Sequence, residues 1–143
     1  MKSTFFDNLV GKWDFNRVIS LPKNKIKGRA TFTRKAVAHL NYHEEGTYIV
    51  NEISYDFFQK RIFELNKNTF TIYKIDESIL HVFENIEHHK EYPILMTHAH
   101  QCGSDTYSCK ITFINEASFS ISYLIKGDKK DYEIQTLYTK CIL

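Results

Sequence analysis

From Lys12 to Lys140 the chain repeats one pattern, apolar or aromatic residues at every second position, in runs broken by turns about every 8–12 residues. A period of two sends successive side chains to opposite faces of a strand, and a helix cannot sustain it. Residues 12–20 put Trp13, Phe15, Arg17 and Ile19 on one side, and residues 39–50 align Leu40, Tyr42, Glu44, Gly46, Tyr48 and Val50. Phe57, Arg61, Phe63 and Leu65 are in phase over 57–65, and Phe119, Ile121, Tyr123 and Ile125 face away from serines over 118–125. Tyr132, Ile134, Thr136 and Tyr138 share a face over 131–140, as do Gly28, Ala30 and Phe32 earlier in the chain. Shorter runs at 69–75 and 79–83 complete the set, together with a hairpin over 96–113. An all-β chain of about ten strands is the expectation.

Turn chemistry separates the runs at Pro22-Lys23-Asn24-Lys25, Asn66-Lys67-Asn68, Asp76-Glu77-Ser78, Gly103-Ser104-Asp105 and Gly127-Asp128-Lys129-Lys130. Ser3 is placed to cap one helical turn over 4–9, whose Phe5, Phe6 and Leu9 would plug an apolar opening before Gly11 ends it. Residues 84–91, with His88 and His89, carry no strand signal and read as an exposed loop. Nothing marks a linker or repeat, so residues 1–143 read as one domain. The 11 Phe and 9 Tyr, against 2 Pro and 5 Gly, fit pleated sheet.

A net charge of +2, with Lys and Arg scattered among acids, gives no ground for a nucleic-acid partner. No apolar run approaches the roughly 18 residues of a spanning helix, which argues against a membrane partner. Asp7 interrupts any signal-peptide pattern, and Cys102, Cys109 and Cys141 lack C-x-x-C spacing. The expectation is a cytoplasmic protein with reduced thiols.

A barrel is favoured over a sandwich because the aromatic faces also carry Arg17, Glu44, Arg61, His98, His100, Tyr107 and Tyr132. A sandwich core about 10 Å thick has little room for so many ionisable groups. A closed barrel can turn them toward a ligand or trapped water.

Gly11-Lys12-Trp13 resembles the G-x-W opening of lipocalin-like (calycin) barrels. More broadly, residues 9–140 resemble a family of small bacterial lipocalin-like proteins known as a domain of unknown function. The motifs that carry the resemblance are Gly11, Trp13 and Arg17; Tyr42, Glu44 and Gly46; His100, Cys102, Asp105 and Tyr107; and Lys130, Asp131 and Tyr132. Asp128 stands where the family has proline, and Leu80-His81 where it has Phe-His. The resemblance implies an antiparallel barrel with the Trp across its closed end, and no activity.

Opposite charges at Arg17 and Glu44 read either as an internal ion pair fixing strand register, or as an arginine for a ligand carboxylate and a general base. His98 and His100, two apart on one face, would make a metal site with a third ligand such as Glu44 or Cys102; His100 alone would ligate haem iron. The alternative is His100 bracing the hairpin through Asp105 or Tyr107, and no metal or cofactor is expected. Cys102 reads as a small buried residue at a bend, since its i, i+2 spacing from His100 leaves the pair about 6–7 Å apart on a strand. Lys130 is either one half of a solvated charge pair or a cation at the barrel mouth, with Tyr132 and Tyr138 lining the cavity. His81 has no assigned side.

The sequence thus predicts a calycin-like barrel of about eight to ten strands that binds a small amphipathic molecule, anionic or carbonyl-bearing. Its candidate ligand-binding residues are Arg17, Tyr42, Glu44, His98, His100, Tyr107, Lys130, Tyr132 and Tyr138. The alternative is a cofactor-free isomerase, lyase or hydrolase in the same cavity, with Glu44 or His100 moving a proton and Tyr107 or Tyr132 polarising a carbonyl. A filled barrel acting as an interaction module stands behind both.

Overall fold

In the protein, a computed structural model describing residues 4–21, 23–87 and 91–142, a five-residue helix precedes ten strands. The helix is α1 (Thr4–Asn8). The strands are β1 (Gly11–Ser20), β2 (Lys23–Ala36), β3 (His39–Val50), β4 (Ile53–Asn66), β5 (Thr69–Lys74), β6 (Ile79–Phe83), β7 (Ile94–Cys102), β8 (Asp105–Asn115), β9 (Ser118–Lys126) and β10 (Asp131–Lys140). All lie in one antiparallel sheet of order β6-β5-β4-β3-β2-β1-β10-β9-β8-β7. This is a meander rolled into the expected barrel. Among the described residues, no ladder joins β6 to β7. Side chains close that seam instead, with the His98 ring 5.7 Å from His81 and 6.0 Å from Phe83.

The alternation sets the inward faces. Trp13, Phe15, Phe32, Leu40, Phe63, Phe70, Phe113 and Phe119 are all buried in a core that fills one end. Phe5, Phe6 and Leu9 plug that end, with the Phe5 ring 4.7 Å from Phe113. The Trp13 Nε1–H donates to the Leu9 carbonyl (2.9 Å), and its ring meets the edge of Phe119 at 4.8 Å. An ion pair between Arg34 and Asp7 (2.7 Å) and a bond from Lys140 Nζ to the Asn8 carbonyl (2.6 Å) tie the plug to the barrel rim. Gly28 and Gly46 face each other across β2 and β3. A Cβ at Gly28 would lie 2.5 Å from the Phe15 ring and 2.2 Å from the Glu45 carbonyl oxygen, so that position admits only glycine without rearrangement.

Several local expectations need correction. The helix stops at Asn8, and Gly11 opens β1 with φ +134° rather than closing the helix; Ser3 lies outside the described residues. The first hairpin is tighter than a Pro22–Lys25 turn, because Lys23 already pairs with Ser20; Pro22 itself is outside the described residues. β4 starts at Ile53, four residues earlier than the apolar alternation suggested. Asn51 and Glu52 both take positive φ, which matches the twist of a two-residue hairpin and lets Val50 pair with Ile53. Asp105 belongs to β8, opposite Cys102, so Gly103 and Ser104 alone make that bend. Cys102 is exposed on it, and Cys109 is the buried thiol. His88 and His89 fall outside the described residues. No helix among the described residues is long and apolar enough to cross a membrane.

Candidate functional site

Midway up the barrel, β1, β3 and β10 bring their inward polar residues into one cluster. Arg17 Nη1 and Nη2 donate to the two oxygens of Glu44 at 2.8 and 3.0 Å, and Arg17 Nε donates to Thr136 Oγ1 at 2.8 Å. The Tyr42 hydroxyl donates to Glu44 Oε1 (2.5 Å) and lies 2.9 Å from the Tyr138 hydroxyl. Glu44 is 2% exposed, and three of the carboxylate's four acceptor positions are filled. Arg17 also lies over the Phe15 ring, 4.7 Å from its centre. Burial works against the guanidinium charge, but the bond to Glu44 and the electrostatic pull of Tyr138, Glu44 and Tyr42 together more than offset it, and Arg17 holds its proton more tightly than a free arginine. Burial first, then the neighbouring Tyr138 and Glu44, raises Tyr42, while burial pushes Tyr138 up to about 12. Of the two readings set beside each other for Arg17 and Glu44, the geometry is that of the internal ion pair.

Above this cluster the barrel holds a cavity of about 510 Å³ that opens at the end away from the helix. Ile72, Ile121, Ile125, Ile134, Leu80 and Phe63 give it apolar wall, and Arg17, Tyr42, Glu44, His100, Tyr107, Tyr132 and Tyr138 all border it. Six further polar residues also border it: Gln59, Arg61, His81, Ser108, Tyr123 and Thr136. His81 Nε2 is 2.9 Å from the Tyr123 hydroxyl, while its Nδ1 is buried with no hydrogen-bond partner. Burial, and then the charges of His98, His100 and Arg61, lower His81 to about 4, so its ring is neutral at neutral pH. Tyr123 also bonds Cys109; burial raises the phenol and pushes the Cys109 thiol up to about 12, which leaves that thiol unreactive.

Arg61 was legible as an ionisable misfit on an aromatic face, though not among the candidate ligand-binding residues, and Tyr123 was in phase with Phe119 and Ile121 with nothing to raise it above them. Gln59 lies on the same face of β4, between Phe57 and Arg61, and as a neutral amide it carries no charge to mark it. His81 escaped for a local reason. The β5–β6 ladder shifts register between Ile72 and Tyr73, which pair with His81 and Ile79, so Leu80 is extra and counting by twos across it fails.

Two candidate residues do not reach the cavity wall. His98 sits in the β6–β7 seam, its Nδ1 buried and without a partner. Lys130 stands at the rim, where Nζ contacts Asp105 (3.2 Å) and donates to the Tyr107 hydroxyl (3.0 Å). Those contacts, Tyr107's first, raise Lys130 above an ordinary lysine. His100, exposed at the mouth, stacks on Tyr107 at 5.2 Å and 11°. The motif residues therefore divide into two clusters, Arg17–Tyr42–Glu44 inside and His100–Asp105–Tyr107–Lys130 at the rim. Among the described residues no three His, Cys, Asp or Glu side chains come together to hold a metal ion.

Residues 9–140 match the model of DUF6314, a family of unknown function. The chain belongs to this family. For this DUF6314 chain, no functionally curated protein gives a match. Its fold is shared by solved structures at low identity. The S-type phycobiliprotein lyase CPES of Guillardia theta superposes with a TM-score of 0.67 at 9% identity, over 97% of this chain and 92% of that one. A barrel bound to DFHBI, EF1p2_mFAP2b, gives 0.57 at 11% identity, over 99% and 100%. A fluorescence-activating β-barrel of de novo design gives 0.55 at 8%, also over 99% and 100%. At these identities the likeness is one of fold.

Proposed function

We propose that this protein binds a small, partly apolar molecule carrying an anionic or carbonyl group, held inside the barrel. The observation that carries the reading is the cavity itself: about 510 Å³, with aliphatic and aromatic wall and a few convergent polar side chains. Natural ligand sites are concave, mainly apolar and of about 300–1,000 Å³, with a small number of polar groups that fix orientation. Barrels of the same fold are solved bound to DFHBI, which supports the reading at the level of architecture. The apolar wall receives the body of the ligand, and Arg61, Gln59, Tyr123 and the rim residues His100 and Tyr107 meet its polar end. Arg17 and Glu44 form the cavity floor as a mutually neutralised pair, shaping it without offering a free charge.

Native mass spectrometry of the chain purified from its own host tests this. The expected spectrum shows a small-molecule adduct that leaves on denaturation. Ile121→Trp, which fills the cavity from β9, loses the adduct while keeping a cooperative unfolding transition. A wild-type chain free of any adduct, or an adduct retained by the folded Ile121→Trp variant, would overturn the reading.

A further inference from the structure

Glu44 is the only carboxylate among the described residues that border the cavity, and two guanidiniums, Arg17 and Arg61, stand against it. Both terminal nitrogens of Arg17 are occupied by Glu44. Arg61 is different. Its Nη1 donates to the carbonyl of Lys60 (2.9 Å), and among the described residues it makes no ion pair. Its cross-strand neighbours are Tyr42 on β3 and Lys74 on β5, neither of them an acid. A guanidinium keeps its charge in any such setting, so it faces the cavity with its other donors unmatched. His81 adds no charge at neutral pH.

The cavity wall therefore carries one uncompensated positive charge. A cation in a partly desolvated site costs free energy until an anion meets it, and a planar fork of donors fits an oxyacid best. In the ring of ten strands β9 stands opposite β4, and it presents Ile121 and Ile125 to the same cavity. We propose that the ligand carries a single oxyacid group seated on Arg61, with an apolar body lying toward the β9 isoleucines. This rests on the cavity-binding reading above and assigns it a chemical class and an anchoring residue. A dication or neutral polyol would leave Arg61 unpaired; a dianion would bring one charge more than the wall can match.

The test uses the full chain with N-phenyl-1-naphthylamine as a fluorescent cavity reporter, displaced by 1-naphthoate or 1-naphthamide. The two competitors share size and ring system and differ in charge. We expect naphthoate to displace the dye at a concentration at least about ten-fold lower than naphthamide, the gap a charge-assisted pair gives. In Arg61→Gln that preference vanishes, while affinity for the uncharged dye, which also reports folding, stays within about two-fold. Arg29→Gln, on the outer face of β2 and paired with Asp14, leaves the preference intact. If wild type shows no preference for naphthoate, or Arg61→Gln retains it, the acid assignment falls while dye binding keeps the cavity reading standing. If the dye does not bind wild type at all, both fall together.

Discussion

Replacing Arg17 by methionine separates a structural role from a ligand-anchoring one. The substitution keeps the aliphatic stem but removes both donors to Glu44, which is 2% exposed and keeps only the Tyr42 hydroxyl as a described partner. Breaking a buried pair from one side costs about 3–5 kcal/mol, because a buried charge is left uncompensated. Glu44→Gln is milder, at about 1–3 kcal/mol, since the amide oxygen still accepts from Tyr42 and Arg17, 16% exposed, opens onto the cavity. The double substitution Arg17→Met/Glu44→Gln removes both charges together and costs only about 1–2 kcal/mol. Simple addition of the single losses would give about 6 kcal/mol, so the cycle carries a coupling energy of about 4 kcal/mol. Urea unfolding followed by circular dichroism reads this directly: with a slope of about 2 kcal/mol per molar, Arg17→Met lowers the midpoint by about 2 M. If that variant loses less than about 1 kcal/mol, or the two single changes add within about 0.5 kcal/mol, the pair does not hold the barrel together.

Three other outcomes follow from the same geometry. His81 is held near 4 in the fold against 6.5 free, so the unfolded chain binds the extra proton between those values. Stability is then unaffected above pH 6.5 by this group, declines as pH falls from 6.5 to about 4, and levels off below; the full loss is about 3 kcal/mol, and His81→Gln removes that component of the pH profile. Gly28→Ala costs about 1–3 kcal/mol in chemical denaturation, since its Cβ meets backbone at Glu45 and the Phe15 ring. Phe5→Ala, which empties the centre of the helical plug, costs about 3–5 kcal/mol, and an unchanged midpoint would show that α1 is not part of the folded core.

The period of two decided most of the architecture from sequence, because one buried face forces every strand into a single register. β3, β6 and β10 occupy the residues that the alternation marks, and the faces carrying Trp13, Tyr42, Phe119 and Tyr138 all point inward. Hairpin ends were less legible. Two-residue bends such as Asn51-Glu52 depend on backbone twist and carry little composition signal. The charged residues of the cavity were also visible as misfits on aromatic faces, since nothing else explains an arginine in phase with Trp13 and Phe15.

Which misfits meet was settled only in three dimensions. Arg17 and Glu44 lie on β1 and β3, with β2 between them, and their bidentate contact depends on the curvature of the barrel rather than on any sequence spacing. The same contact leaves Arg61, among the described residues that border the cavity, as a cation without an ion-pair partner, a status that belongs to its neighbours and not to its own position in the chain. His81 follows Phe83 inward while the extra residue Leu80 turns Ile79 outward, and Lys130 was drawn off the wall by Asp105 and Tyr107. Alternation tells each side chain which face to take; the closing of the sheet decides which charges on that face find one another.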